Sequence, residues 1–359
     1  MDYDDIVTTG LLKIDILGLT ALTIMKKCSQ MIKKRKHLDI DFQAIDLEDK
    51  KVVKAFCKMK MFGIFQFDGQ AVMGVCRQVQ PQNFRELVAV TALGRPGALH
   101  GGGTTSYIAR KDGKEKILYE HEMLKAITGE TYGVPIYQEQ VMQIVREMGK
   151  FSWEQTSRIR KIMSKNEGVE SFNKLQDQFV DGAAKDGVSE EKAIALWKSI
   201  CTFGSWAFNK SHSVAYTTIS FWMMWLKVYH PLEFYCAMLQ CEKDDDSKKK
   251  IIKEFVNDGG QLLPVNVNRS KELITIDQKG LRAGFMDVKG IGEGVAEKLV
   301  SKQPYSSVQD LTQRMKKSSV IDTLVKIGAC EGLTMGHRSL TLNLFESMDN
   351  EDATATTRG

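Results

Sequence analysis

Residues 203–216 read FGSWAFNKSHSVAY, and within them Asn209, Lys210, Ser211, His212 and Ser213 set an amide, an ammonium, two hydroxyls and an imidazole in consecutive positions. An apolar helix is expected to follow directly, over residues 214–229. Backbone N–H groups at a helix N-terminus point outward without intrahelical partners, so a cation beside them suits the place to an anion. A serine N-cap with a solvated lysine accounts for the same residues. Local physics alone leaves both readings open.

The chain has 359 residues, enough for about two or three domains with buried cores. Its formal net charge of +5 permits nucleic-acid binding without requiring it. Seven cysteines, an odd set without a C-x-x-C pair, point to reduced thiols in a cytoplasmic setting and away from a disulfide framework or zinc ribbon. No secretory leader is expected from the opening residues, and the longest apolar run, residues 219–226, is too short to span a bilayer. No fixed-period repeat is present, and the polar tail 349–359 is expected to be disordered.

Residues 11–17, LLKIDIL, alternate so that Leu12, Ile14 and Ile16 share one face of an expected strand while Lys13 and Asp15 share the other. Same-face neighbours on a strand lie ~6.5–7 Å apart, close enough for the lysine to keep the carboxylate ionised and for both to reach one triphosphate–metal complex. An exposed Lys/Asp pair on a half-buried strand is the simpler account of those residues alone. From residue 47 onward the pattern is mostly helical. Residues 83–93 form an expected helix opened by a capping box at Asn83 and Glu86. Gly94, Arg95, Pro96 and Gly97 then dictate a turn that presents Arg95, and the glycines 101–103 predict a mobile loop. In residues 157–165, SRIRKIMSK, the cations Arg158, Lys161 and Lys165 recur at helical spacing opposite Ile159, Ile162 and Met163. Such a stripe is usually a solvated face.

A shift from aspartates to lysines across residues 243–253 marks an expected domain boundary at the start of a helix. Residues 272–276 and 281–285 read as a β-hairpin around a turn ending in Gly280. Residues 288–300, VKGIGEGVAEKLV, read as a helix-hairpin-helix whose backbone N–H groups can cradle a duplex phosphate without reading bases, with Lys289, Gly290, Gly292 and Gly294 as the DNA-binding candidates. A plain helical turn is the competing account. Residues 341–345, TLNLF, have a superficial likeness to a sliding-clamp-binding peptide, but lack a leading glutamine and have apolar spacing that fits a helix.

FNKSHSVAY, together with WLKVYHPLEF at 225–234, resembles the fingers of the bacterial replicative polymerase, the DNA polymerase III alpha subunit of family C. Further matches are KIDILGL at 13–19, MFGIFQF at 61–67, the RPG turn at 95–97, TYGVPIYQEQVM at 131–142, the order of fingers then helix-hairpin-helix, and IGACEGLTMGHRSL at 327–340. The resemblance implies a mainly α fold with small β elements (α+β). It also implies a division into the end of a palm at 1–18, fingers at 19–245, a hairpin and helix-hairpin-helix region at 246–345 and a tail at 346–359. It implies that Asp15 is the third metal-site aspartate, with Lys13 its phosphate-facing neighbour. Arg160 and Lys161 fall where the family has an Arg-Arg pair that contacts incoming nucleotide. The lysine loses the bidentate fork of the arginine it replaces. Lys210 and His212 are the matched cations of the opening stretch. The implied partners are a DNA primer–template and dNTPs, and the implied cofactor is Mg²⁺.

The departure from the family lies in the palm. Two further metal-site aspartates belong in a D-x-D motif upstream of Asp15, where only fourteen residues stand. Asp2-Tyr3-Asp4 falls in a terminus expected to fray, and Asp39-Ile40-Asp41 follows a basic helix at 19–36, with Asp41 better read as an N-cap. The expectation is half of a polymerase, completed by a second polypeptide that carries the rest of the palm. Two other classes stay open: a non-catalytic DNA-binding or decoy protein, and a helix-hairpin-helix glycosylase with a lysine nucleophile and Asp310, which accounts for the C-terminal third alone.

Overall fold

The computed structural model describes residues 16–334 other than 120, 166–171, 205 and 279, together with residues 6, 8–11 and 14. The fold is mainly helical with one three-stranded sheet among the described residues, in keeping with the expected class. It divides into two compact units, residues 1–231 and 232–359.

The first unit is built on one long helix. Helix α1 spans Thr20–Lys36, α2 Lys50–Cys57, α3 Gln70–Val79, α4 Phe84–Leu93, α5 Pro96–His100 and α6 Gly103–Lys111. Then come α7 Glu122–Thr128, α8 Gln138–Glu147, α9 Trp153–Lys165, α10 Gln176–Ala184, α11 Glu190–Gly204 and α12 Lys210–Tyr229. Helices α1, α2 and α4 all pack on α12. Asn209 caps α12, its side chain accepting the His212 N–H at 2.7 Å, so the helix begins earlier than expected and its cap is not a serine. It ends at His230, because the residue before Pro231 is driven out of the helical region.

Two α12 side chains hold the irregular segment 61–67. The Ser220 hydroxyl donates to the Phe65 carbonyl at 2.6 Å, and the buried Lys227 ammonium donates to the carbonyls of Lys60 and Phe62, both at 3.0 Å. Carbonyls that no ladder satisfies are thereby paired, while Met61, Ile64 and Phe67 are sealed in the core. A second cluster of the same unit centres on Trp197, ringed by Phe151, Phe172 and Phe179 and lined by Ile159, Ile162 and Met163 from α9.

Three expectations are corrected here. The capping box of α4 is half formed: Asn83 accepts the Glu86 N–H at 3.0 Å, but the Glu86 carboxylate takes the Gln82 N–H, the Tyr132 hydroxyl at 2.6 Å and the Lys111 ammonium at 3.2 Å. Glu86 is buried, and a buried carboxylate needs a charged partner more than a local cap. The glycine stretch is not a loose loop, because Gly97, Gly101 and Gly103 seat the Trp206 side chain so closely that a Cβ would lie 2.9, 2.5 and 2.1 Å from it. The strand read at 11–17 is not found at its described positions. Leu11, Ile14, Ile16 and Leu17 lie in no ladder and are 60, 73, 94 and 84 % exposed. A strand without a paired neighbour leaves its own backbone groups and apolar face in water.

In the second unit, α13 spans Pro231–Cys241, all but its first residue within the unit, and α14 spans Asp245–Asn257. Asp244 caps α14, and Asp245 and Asp246 occupy its first turn, so the run of aspartates is a helix start complementing the helix dipole. The expected hairpin forms between β2, Thr275–Asp277, and β3, Gly280–Arg282, with Ile276 opposite Leu281. It is shorter than the pattern suggested, and β1, Gln261–Leu263, adds a parallel partner to β3 that three residues could not announce. Helices α15 Glu293–Ser301, α16 Val308–Met315 and α17 Ser318–Lys326 close over a core of Phe285, Leu299, Leu311 and Leu324.

Candidate nucleotide and DNA-binding sites

The first turn of α12 carries Lys210 and His212, and Asn209 stands just before it. The free N–H groups expected there to bind an anion already hold one. The Glu139 carboxylate, from the first turn of α8, accepts the Lys210 N–H at 2.8 Å, the Asn209 side-chain amide at 3.1 Å and the Ser211 N–H at 3.5 Å. This is the charge a helix N-terminus prefers. Residues 137 and 208 join the same two segments through a backbone bridge, the Gln138 N–H donating to the Phe208 carbonyl and the Phe208 N–H to that of Ile136. The Lys210 side chain leaves this cap and reaches the Glu130 carboxylate at 2.5 Å, both side chains remaining about a third exposed, at 37 and 29 %.

His212 is exposed and lies flat on Tyr216 at 3.9 Å, while the Arg95 guanidinium covers Phe208 at 3.7 Å. Phe208 meets the His212 ring edge-on and Tyr216 meets Phe65, so Arg95, Phe208, His212, Tyr216 and Phe65 form one continuous row. Arg95 is exposed, as its turn predicts, and is also the N-cap of α5. Gly94 is required there, since a Cβ would meet Val72 at 2.7 Å. Arg160 and Lys161 are exposed on α9, which packs on α8. Lys13 and Asp15 lie outside the described residues, as does the Asp2-Tyr3-Asp4 string.

In the second unit the expected helix-hairpin-helix opens with a single 3₁₀ turn, Phe285–Asp287, in place of a full first helix. Ile291 is buried as the anchor of the turn, and Lys289, Gly290, Gly292 and Gly294 are exposed. Gly290 has φ +89°, which a side chain tolerates poorly. Gly292 and Gly294 have ordinary φ values, and a Cβ on either would meet nothing within 4 Å. Neither position is pressed by the protein's own atoms. Lys289 and Gly290 also line a cleft of about 610 Å³ together with Lys248 and Lys249 of α14 and the carboxylates of Asp245 and Asp287.

Residues 21–187 match the family described as the bacterial DNA polymerase III alpha subunit finger domain, and residues 259–340 match the helix-hairpin-helix motif. The DNA polymerase III subunit alpha of Aquifex aeolicus is 37 % identical over 329 residues, covering 89 % of this chain and 28 % of that protein. That of Campylobacter jejuni is 34 % identical over 97 % of this chain, and the error-prone DNA polymerase of Corynebacterium efficiens is 30 % identical over 94 % of it. The chain is homologous to the fingers and helix-hairpin-helix region of the DNA polymerase III alpha subunit. It spans about 30 % of the length of these relatives.

In this DNA polymerase III alpha homologue the second D-x-D string is engaged within the protein. Asp39 is paired with Lys33 at 2.6 Å, and Asp41 caps the 3₁₀ turn Phe42–Ala44 by accepting the Gln43 N–H. Among the described residues no group of three or more His, Cys, Asp or Glu side chains could hold a metal ion. Asp310, the aspartate a glycosylase would need, accepts the Ser306 N–H and is bridged to Arg314, which hold its carboxyl below the usual range. It stands in the first turn of α16, which Ser307 caps. All seven cysteines are free, and burial pushes Cys76 up to about 12 and Cys201 up to about 11, which keeps both thiols protonated. No helix among the described residues is long and apolar enough to cross a membrane. Sequence reasoning did not single out Glu130 or the Arg95–Phe208 contact, since neither partner stands at a helical or strand spacing from the other.

Proposed function

We propose that this chain supplies the fingers and duplex-binding region of a template-directed DNA polymerase, taking up a dNTP at the cations of α9 and α12 and a primer–template duplex at the helix-hairpin-helix 288–300. The observation that carries this reading is the common mounting of those cations. Arg160 and Lys161 stand on α9, which packs on α8, and Lys210 and His212 stand on the turn of α12 that α8 grips through Glu139. Phosphoryl transfer asks chiefly for positioning and charge stabilisation, and rigidly mounted cations supply both. In this reading residues 1–18 complete a palm, residues 19–245 are the fingers, and residues 246–345 hold the duplex. Bound Mg²⁺ would activate the primer 3′-hydroxyl and stabilise the leaving pyrophosphate. Its ligands are proposed to be Asp15, with Lys13 beside it, and the D-x-D carboxylates of a second polypeptide.

The test is single-nucleotide incorporation with Mg²⁺, primer–template and dNTPs. The chain by itself binds DNA and extends nothing; mixed with a polypeptide bearing a D-x-D palm, it extends primers. Asp15→Asn abolishes that extension while assembly persists, and Lys210→Ala lowers kcat/KM for dNTP at least about tenfold, the worth of one charge-assisted hydrogen bond, with duplex affinity unchanged. Synthesis by the isolated chain refutes the need for a second polypeptide, and full activity of Asp15→Asn in the mixture refutes Asp15 as a metal ligand.

A further inference from the structure

We propose that Glu130 is a resident counter-ion of Lys210 that an incoming polyphosphate must displace, so that it lowers the affinity of the site for nucleotide. The inference rests on Lys210 being a triphosphate ligand. The two carboxylates at the start of α12 are held in different ways. Glu139 engages two backbone N–H groups and the Asn209 amide with both of its oxygens, which makes it part of the helix cap. Glu130 meets the Lys210 ammonium through Oε1, at the end of two side chains that are both partly in water. Glu130 and Lys210 line a cavity of about 240 Å³ that Arg85 also lines. A phosphate entering there meets two cations and one carboxylate, and the carboxylate occupies the ammonium it needs.

A pair this exposed is weak, worth on the order of a fivefold change in an equilibrium constant. That is small enough for a triphosphate to overcome and large enough to measure. Glu130 could instead repel any anion through its general field, or orient Lys210 productively, and the three roles separate in a double-mutant cycle.

The experiment is titration calorimetry of dTTP into the full chain at low ionic strength, for the wild type, Glu130→Gln, Lys210→Met and the double variant. Glu130→Gln is expected to tighten dTTP binding about fivefold, Lys210→Met to weaken it, and Glu130→Gln to have no further effect once Lys210 is gone. If Lys210→Met weakens binding but Glu130→Gln leaves it unchanged or weakens it too, Glu130 is no competitor and the inference fails while the nucleotide reading stands. Tightening that survives in the Lys210→Met background means a general field and overturns the counter-ion role. A Lys210→Met variant that binds as the wild type does, or the absence of binding in every variant at millimolar dTTP, overturns the nucleotide reading itself.

Discussion

Asp277 ends strand β2 between two guanidiniums, Arg282 at 2.5 Å and Arg269 at 2.6 Å. Burial pushes its carboxyl up, the two guanidiniums outweigh that, and the group titrates below its usual value of 3.8. A carboxyl lowered by folding contributes stability that is present above its unfolded pKa and is lost as pH falls through its folded pKa. Asp277→Asn weakens two charge-assisted hydrogen bonds and should cost about 2 kcal/mol at pH 7, and it should flatten the acid limb of stability below about pH 4. Urea midpoints of the second unit's transition at pH 7 and pH 3 check this, and a wild-type acid limb left intact in the variant contradicts it. The residues at the start of α12 follow the same electrostatic logic. Lys210 and the N-terminal N–H groups were legible as a place for negative charge, but a one-dimensional pattern could not say that Glu130 and Glu139 fill it.

At the scale of an element, the stretch from Arg95 to Lys111 is where the sequence misled most. Glycines at 101–103 are turn formers by composition, and their freedom suggested mobility. In the fold they are a seat for one indole, with Gly103 opening α6 and Trp206 arriving from the far end of the unit. Gly103→Ala places a methyl 2.1 Å from the Trp206 ring, and overpacking of this kind costs about 1–3 kcal/mol. Thermal unfolding should show that loss. Gly129→Ala, at a position with nothing within 4 Å and negative φ, should be neutral or slightly stabilising. Equal destabilisation by both substitutions would show that the indole seat has no special weight.

At the scale of the whole molecule, each unit buries its own residues, the first around Trp197 and beneath α12 at Met61, Ile64 and Phe67, the second around Phe285 and Leu299. The glycines at 94, 97, 101, 103 and 284 are pressed by the protein's own atoms, whereas Gly292 and Gly294 face open space. If the hairpin takes a duplex phosphate there, Gly292→Val should weaken the whole chain's affinity for any duplex alike. Lys289→Ala should reduce the slope of log affinity against log salt by about 0.9. Fluorescence anisotropy with two unrelated duplexes over a salt series measures both. A loss confined to one sequence, or an unchanged slope, would contradict the backbone-contact reading.

By itself the sequence determined the helical class, α1, the Asn83 cap of α4, the hairpin of β2 and β3, and the cationic turns of α9 and α12. All of these rest on spacings of a few residues, where backbone geometry ties pattern to structure. The tertiary structure alone decided what those turns face. Glu139 on the cap, Glu130 on Lys210, Arg95 on Phe208 and Trp206 on its glycines are pairings across 71, 80, 113 and about 100 residues of chain, respectively. Contacts at that separation are chosen by how whole helices pack, through shape and buried charge summed over many residues. No local periodicity carries that information.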